Sequence, residues 1–194
     1  MGRAYAEVRP DVTIMIGNDQ MEIMGDENQP SFMVYFGESM DNVPFSEEQK
    51  QRLGPGVALA EPNHHPAVRR THPGSPELAL HLIDRLMGQG FDLATSNHLP
   101  ERRESRLTGL PHAFGYFYQR IMDNDPPTVP VFVNTFYPPN QARIFRCHAL
   151  GTAIAEAVEG WDKDLRVAIL GSGGMTHFVV DEPFDRRFLA AFQQ

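Results

Sequence analysis

Asp164-Leu165-Arg166-Val167-Ala168-Ile169-Leu170-Gly171-Ser172-Gly173-Gly174-Met175-Thr176-His177-Phe178 is the stretch on which the fold turns. Its first half has the aliphatic and β-branched content of a buried strand, bounded by charge on one side and by glycine on the other. Its second half carries a histidine off the strand end through glycines, which reach backbone angles closed to other residues and let a ligand approach the main chain. A histidine displayed at the carboxyl end of a strand stands where open α/β sheets keep their chemistry. A tight turn that ends in a polar residue is the plain alternative.

Working outward, four more segments read as strands: Val12 to Ile16, Phe32 to Phe36, Phe91 to Thr95 and Thr128 to Phe136. Ser75 to Met87 reads as a helix with Ser75 as N-cap, Pro76 in its first position, Leu78, Leu82 and Leu86 on one face, and Gly88 and Gly90 ending it. Asn140 to Val158 reads as a second helix with Cys147, Leu150, Ile154 and Val158 as its apolar stripe. Alternating strands and helices imply an α/β fold, a mostly parallel central sheet with helices on both faces, in one domain over 1–194. Gly54 to Gly74, with its prolines and with His64, His65 and His72, reads as a loop insertion.

Composition narrows the function. The chain has 194 residues, 41% of them hydrophobic and 10% aromatic, enough for a sizeable core. Seventeen basic against 25 acidic residues give a net charge of −8, which disfavours nucleic acid and anionic membranes as partners. No apolar run has the length of a membrane span or the form of a secretory signal, so the cytoplasm is the expected location. Cys147 is the single cysteine, which excludes an intramolecular disulfide and a thiolate metal cluster.

Several constellations fail as sites on inspection. Ser96 and Ser172 lack the Gly-x-Ser-x-Gly elbow of an α/β-hydrolase, and Gly171-Ser172-Gly173-Gly174 lacks the lysine and spacing of a P-loop. His64, His65 and His72 have no His-Glu-x-x-His spacing and read as a mobile surface loop. His81 and His148, inside helices, read as structural. Arg102, Arg103 and Arg106, alternating with Glu101 and Glu104, read as a solvated loop.

Gly173-Gly174-Met175-Thr176-His177, Val133-Asn134-Thr135-Phe136-Tyr137-Pro138-Pro139, Arg146-Cys147-His148-Ala149-Leu150-Gly151 and His112-Ala113-Phe114-Gly115, taken together, resemble the class III extradiol ring-cleavage dioxygenases, the group typified by the catalytic subunit of protocatechuate 4,5-dioxygenase. Pro10-Asp11-Val12 through Gly17-Asn18-Asp19-Gln20 is similar to that family's first long strand and following loop, so the resemblance covers most of the chain in order.

The resemblance implies a non-haem Fe(II) enzyme that cleaves a catechol such as protocatechuate, gallate or methylgallate with O2 in aromatic catabolism. Iron would be held by two histidines and a glutamate, leaving positions for the diol and oxygen. His177 matches the family's acid–base histidine and His112 a second pocket histidine for oxygen or substrate, while Asn134, Tyr137 and Gly174 would line the substrate site. The metal ligands stay unassigned. Gln20 follows Asn18-Asp19 where relatives have a ligand histidine, and the family's other histidine and its glutamate would fall before and after this chain. Glu22 offers a replacement carboxylate at that position, with a solvated surface glutamate as the plain reading. Two explanations stand: a fragment truncated at both ends, or a short protein that keeps the substrate pocket without the metal. Met1 reads as a native start, whereas Gly2 to Glu7 reads as the tail of a helix whose beginning is missing. A noncatalytic partner subunit is the alternative function. The expected partners are a small aromatic, O2, and either a second copy of the chain or a related subunit.

Overall fold

The computed structural model describes residues 1–99, 109–176 and 179–192. Its strands are β1 (Val12–Gly17), β2 (Phe32–Tyr35), β3 (Ser39–Asn42), β4 (Arg70–Pro73), β5 (Ala94–Ser96), β6 (Thr128–Val133) and β7 (Val167–Gly171). Its helices are α1 (Gly2–Val8), α2 (Glu47–Arg52), α3 (Pro55–Ala60), α4 (Pro76–Gly88), α5 (His112–Arg120), α6 (Ile144–Glu159) and α7 (Glu182–Phe192), with a 3-10 turn at Glu61–Asn63.

Five strands form the central sheet in the order β5-β2-β6-β1-β7. β1 pairs in parallel with β6 and β7, with Thr13 opposite Thr128 and Val12 opposite Val167. β2 pairs in parallel with β5 but antiparallel with β6, so the mostly parallel sheet has one reversed seam. The two-residue period of the strands divides the apolar side chains between two layers. Ile14, Phe32, Val34, Val129, Val131 and Val133 face Leu78, Ala79, Leu82 and Leu86 of α4 and Leu150, Ala153, Ile154 and Ala157 of α6. Met15, Met33, Tyr35 and Phe132 face Tyr5 of α1 and Ala113, Phe114 and Phe117 of α5. Helices therefore cover both faces, as the alternation predicts.

Differences from the sequence reading are local. The strand expected at Phe91 to Thr95 is confined to Ala94–Ser96, and Phe91 is instead buried in the loop before it, edge-on to Phe32. α4 keeps Ser75 as N-cap residue, though its side chain makes no capping bond, and Gly90 takes a φ of 79° where the chain leaves the helix. Residues 54–74 hold α3, the 3-10 turn and β4, which pairs antiparallel with β3. His65 and His72 are buried there, so the expectation of a mobile surface loop fails. Each is held by a polar partner: His65 Nδ1 lies 3.0 Å from Asn42 Oδ1, and His72 Nδ1 lies 2.8 Å from Asp125 Oδ1 with its ring stacked on Tyr118. His81 joins α4 to α6 through the Ala157 carbonyl, 2.8 Å from Nε2.

β7 is an edge strand, and Leu165 and Ile169 are about half exposed. α7 buries none of its residues and leaves Phe184, Phe188, Leu189 and Phe192 accessible, beside exposed Val179 and Val180. A strand edge with free peptide groups and an exposed apolar helix face each favour association. The isolated chain is expected to self-associate, with light scattering giving a mass above 21.8 kDa that rises with concentration. A monomer that persists at high concentration would contradict this.

Candidate functional site

Because β1, β6 and β7 run in one direction, the chain leaves all three at the same edge of the sheet. Three segments chosen from the sequence meet there. Asn18 follows β1 and its Nδ2 donates to Thr135 Oγ1 at 3.4 Å. Asn134 follows β6, and Ser172 follows β7 with its N–H donating to the Ile16 carbonyl at 2.8 Å. Gly173 has a φ of 141°, which a side chain would strain, and Gly174 beyond it is exposed. Thr176 ties the turn to α7 through Asp185 Oδ2 at 2.6 Å. His177 lies outside the described residues, as do Arg102, Arg103 and Arg106.

Asn134 and Tyr137 are joined by local hydrogen bonds. The Asn134 Oδ1 accepts the N–H groups of Phe136 (3.2 Å) and Tyr137 (2.9 Å), and its Nδ2 donates to the Tyr137 carbonyl (2.9 Å). The side chain thus shapes the 134–137 turn, while the Tyr137 ring packs edge-on against Phe136.

The centre of the polar cluster is a carboxylate at the end of β1. Asp19 is buried, and its oxygens accept three backbone N–H groups, from Glu22 (3.1 Å), Ile23 (3.1 Å) and Met24 (2.9 Å). Those bonds wind residues 19–24 into a tight loop, with Met21 at a φ of 58°. Glu22 is thereby turned inward, 8% exposed, against the first residue of α5. Its Oε2 accepts the His112 backbone N–H at 2.9 Å, and its Oε1 pairs with the His112 Nδ1. The solvated surface glutamate does not describe Glu22, which is buried with both its oxygens bonded to His112.

Two further histidines approach from the segment expected to be a loop. Asn42, fully buried on β3, holds them: its Nδ2 donates to the His64 carbonyl at 3.2 Å and its Oδ1 pairs with His65. The His64 carbonyl sits where a Cβ on Gly115 would come within 2.1 Å, so this contact with α5 requires glycine at 115. As a result the His64 ring stands edge-on to His112 at 5.4 Å and near Tyr116 at 5.8 Å. His64, His65, Asn42 and Asp19 were not selected from the sequence as site residues. The one local signal was the Asp-x-x-Glu spacing of Asp19 and Glu22, typical of a residue that caps the backbone three positions on.

Burial alone would push the His112 pKa down, but the hydrogen bond and charge of Glu22, with the charge of Asp19 behind it, outweigh burial and hold it above the ordinary histidine value. His64 is held below that value by burial and by the charge of His112. Burial pushes His65 down to about 4 and Asp19 up to about 6. The cluster therefore favours one cationic imidazole, His112, among neutral neighbours.

Ferrous iron does not fit the described residues. Among them no group of three His, Cys, Asp or Glu side chains is placed to hold a metal ion, and Gln20 stands where the family resemblance calls for histidine. An open cleft of about 420 Å³ between Ser31, Asp92, Asn140, Arg143 and Arg146 is lined by none of Asp19, Glu22, His64, His65 and His112.

A histidine clamped by a carboxylate at the carboxyl edge of an α/β sheet is suited to proton transfer, which makes this chain a candidate for enzymatic acid–base chemistry. Residues 1–191 match the family described as the catalytic LigB subunit of aromatic ring-opening dioxygenase, and the chain belongs to that family. It is similar to the 2,3-dihydroxyphenylpropionate/2,3-dihydroxicinnamic acid 1,2-dioxygenase of Comamonas testosteroni, 28% identical over 174 residues, which are 90% of this chain and 45% of the relative. Enzymes of the same name from Mycolicibacterium paratuberculosis and Mycobacterium ulcerans are 33% and 31% identical, over 55% and 52% of this chain and 32% and 29% of their own lengths. The chain thus spans less than half the length of these relatives.

Two outcomes are expected. Folded His65 resists the proton that the unfolded chain takes up near 6.5, so its contribution to stability is full above that pH and falls as pH drops toward about 4. Asp19 has the opposite sign: its contribution is full below 3.8 and is lost as pH rises through about 6. Each amounts to about 3 kcal/mol over its window. Urea midpoints at about pH 7 and about pH 4.5 should show Asp19→Asn losing stability on acidification and His65→Gln gaining it. Equal slopes in the two variants would show that these groups do not titrate as their burial requires. The purified chain is also expected to bind ferrous iron weakly, and tight anaerobic uptake of one iron per chain would overturn the poor fit.

Proposed function

We propose that this chain carries the catechol-binding and proton-handling part of an extradiol ring-cleaving dioxygenase, acting in the cytoplasm on a small aromatic diol and O2. The observation that carries the reading is the His112–Glu22 pair at the carboxyl edge of the sheet, in a chain whose family is the catalytic subunit of ring-opening dioxygenases. The family match favours a catalytic role over a noncatalytic partner. The substrate class is a 2,3-dihydroxyphenyl ring with a carboxylated side chain, supported by the names of the three relatives; they do not support protocatechuate or gallate in particular.

Ring cleavage beside a diol needs a group to remove a phenolic proton and a group to return one to oxygen. His177 is assigned the first task by its match to the family motif. His112 is assigned the second, since it has a carboxylate on Nδ1 and about a third of its side chain accessible. His64 and Tyr116 form the wall beside it. No step is assigned to the metal. The exposed face of β7 and α7 is the surface we assign to a second copy or a related subunit.

The test is oxygen uptake with added ferrous iron and 2,3-dihydroxyphenylpropionate, together with anaerobic binding of the same catechol. Saturable catechol binding is expected of the chain, and in a form for which turnover is established His177→Ala should lower it by roughly 10² to 10⁴-fold. His112→Ala should reduce the apparent oxygen or substrate affinity more than iron content. A chain that neither binds the catechol nor consumes oxygen with it would end this reading.

A further inference from the structure

The contact between Glu22 and His112 spans 90 positions of sequence and is unusually complete for an ion pair. One carboxylate oxygen takes the backbone N–H of His112 and the other takes the ring, so main chain and side chain are held by the same group. The backbone N–H belongs to the first residue of a nine-residue helix, where a carboxylate is also favoured by the unpaired N–H groups and the dipole. Glu22 has little freedom of its own, because Asp19 fixes the N–H groups of Glu22, Ile23 and Met24. Gly115 of the same helix admits the His64 carbonyl, which sets His64 against the other side of the ring.

The two side chains differ in access. Glu22 is about 10% exposed and His112 36%, so the carboxylate is sealed while part of the imidazole is open. With Nδ1 taken by Glu22, Nε2 is the nitrogen left for exchange with a ligand. We infer that Glu22 is the positioning residue of the site: it fixes the orientation of the His112 ring and dedicates its Nε2 to hydrogen bonding with, and proton delivery to, the bound aromatic or oxygen. Glu22 touches neither substrate nor oxygen and acts through His112. This inference rests on the ring-cleavage reading for its ligand, but the geometry of the pair stands independently.

The groups around the pair support a cationic ring in this one place. Asp19 adds negative charge from the β1 loop, and His64 and His65 on the segment after the 3-10 turn are held neutral by burial. Arg120 of α5 is directed elsewhere, onto the Asn63 Oδ1, and Tyr116 supplies an uncharged ring. Removing the Glu22 charge leaves burial as the main influence on His112, which favours its neutral form.

The test compares the native chain with Glu22→Gln and Glu22→Asp by nitrogen-detected NMR of the His112 ring across pH, with far-UV circular dichroism to establish folding. The native ring is expected to titrate above the ordinary histidine range with Nδ1 bonded. In Glu22→Gln the midpoint should fall so that the protonated fraction at neutral pH drops roughly tenfold or more, and Glu22→Asp should restore part of it. Where turnover is established, kcat in Glu22→Gln should fall roughly 10-fold to 100-fold at neutral pH, with its alkaline limb moved to lower pH and KM changed far less. An unchanged His112 titration in a folded Glu22→Gln variant would overturn the inference, as would a loss confined to KM. If the titration moves as expected but no catechol is bound or oxidised, the pair stands and the ring-cleavage reading fails. If Glu22→Gln does not fold, a native His112 midpoint at or below the ordinary value is itself decisive against the inference.

Discussion

Burial of β1 on both faces is the constraint from which the rest of the structure follows. It lies between β6 and β7, so its peptide groups are paired on both sides, and its side chains alternate between the two cores, Ile14 into one and Met15 into the other. Thr13, also fully buried, is tolerated because its hydroxyl pairs with the Tyr5 hydroxyl at 2.7 Å. A strand fixed in this way ends at a defined place, and the chain that leaves it must satisfy its own polar groups at once.

Asp19 meets that need. A buried carboxylate with three N–H partners is costly to desolvate, and its raised pKa reflects that cost, but the bonds organise the loop that turns Glu22 onto α5. The site is thus built outward in steps, from strand to capped loop to glutamate to histidine. The second route runs through the antiparallel β3–β4 pair and the segment between its strands, where Asn42 holds His64 and His65, and Gly115 lets that segment reach α5. The two routes converge on the face of His112.

Membership of the ring-opening dioxygenase family and the poor fit to iron stand together without conflict. The family match covers the sheet, α5 and the glycine turn. Gln20 stands where the family resemblance calls for histidine, and the carboxylate two residues on bonds His112.

The sequence by itself determined the alternation of strands and helices, the two buried helix stripes on α4 and α6, and the glycine turn after β7, because periodicity and backbone freedom are local properties. His112 was picked out by its motif, but its pairing with Glu22 was not. The reversed seam between β2 and β6 and the burial of His65 and His72 were decided by tertiary structure, since strand direction and burial depend on neighbours distant in the chain. Residues 54–74 show the difference most clearly: prolines and adjacent histidines suggest an open loop, and only Asn42 on another strand and Gly115 on a helix convert it into one wall of a site. The pairing of Glu22 with His112 likewise carries no mark in sequence, because the partner lies 90 residues away and is brought to it by the packing of α5 against β1.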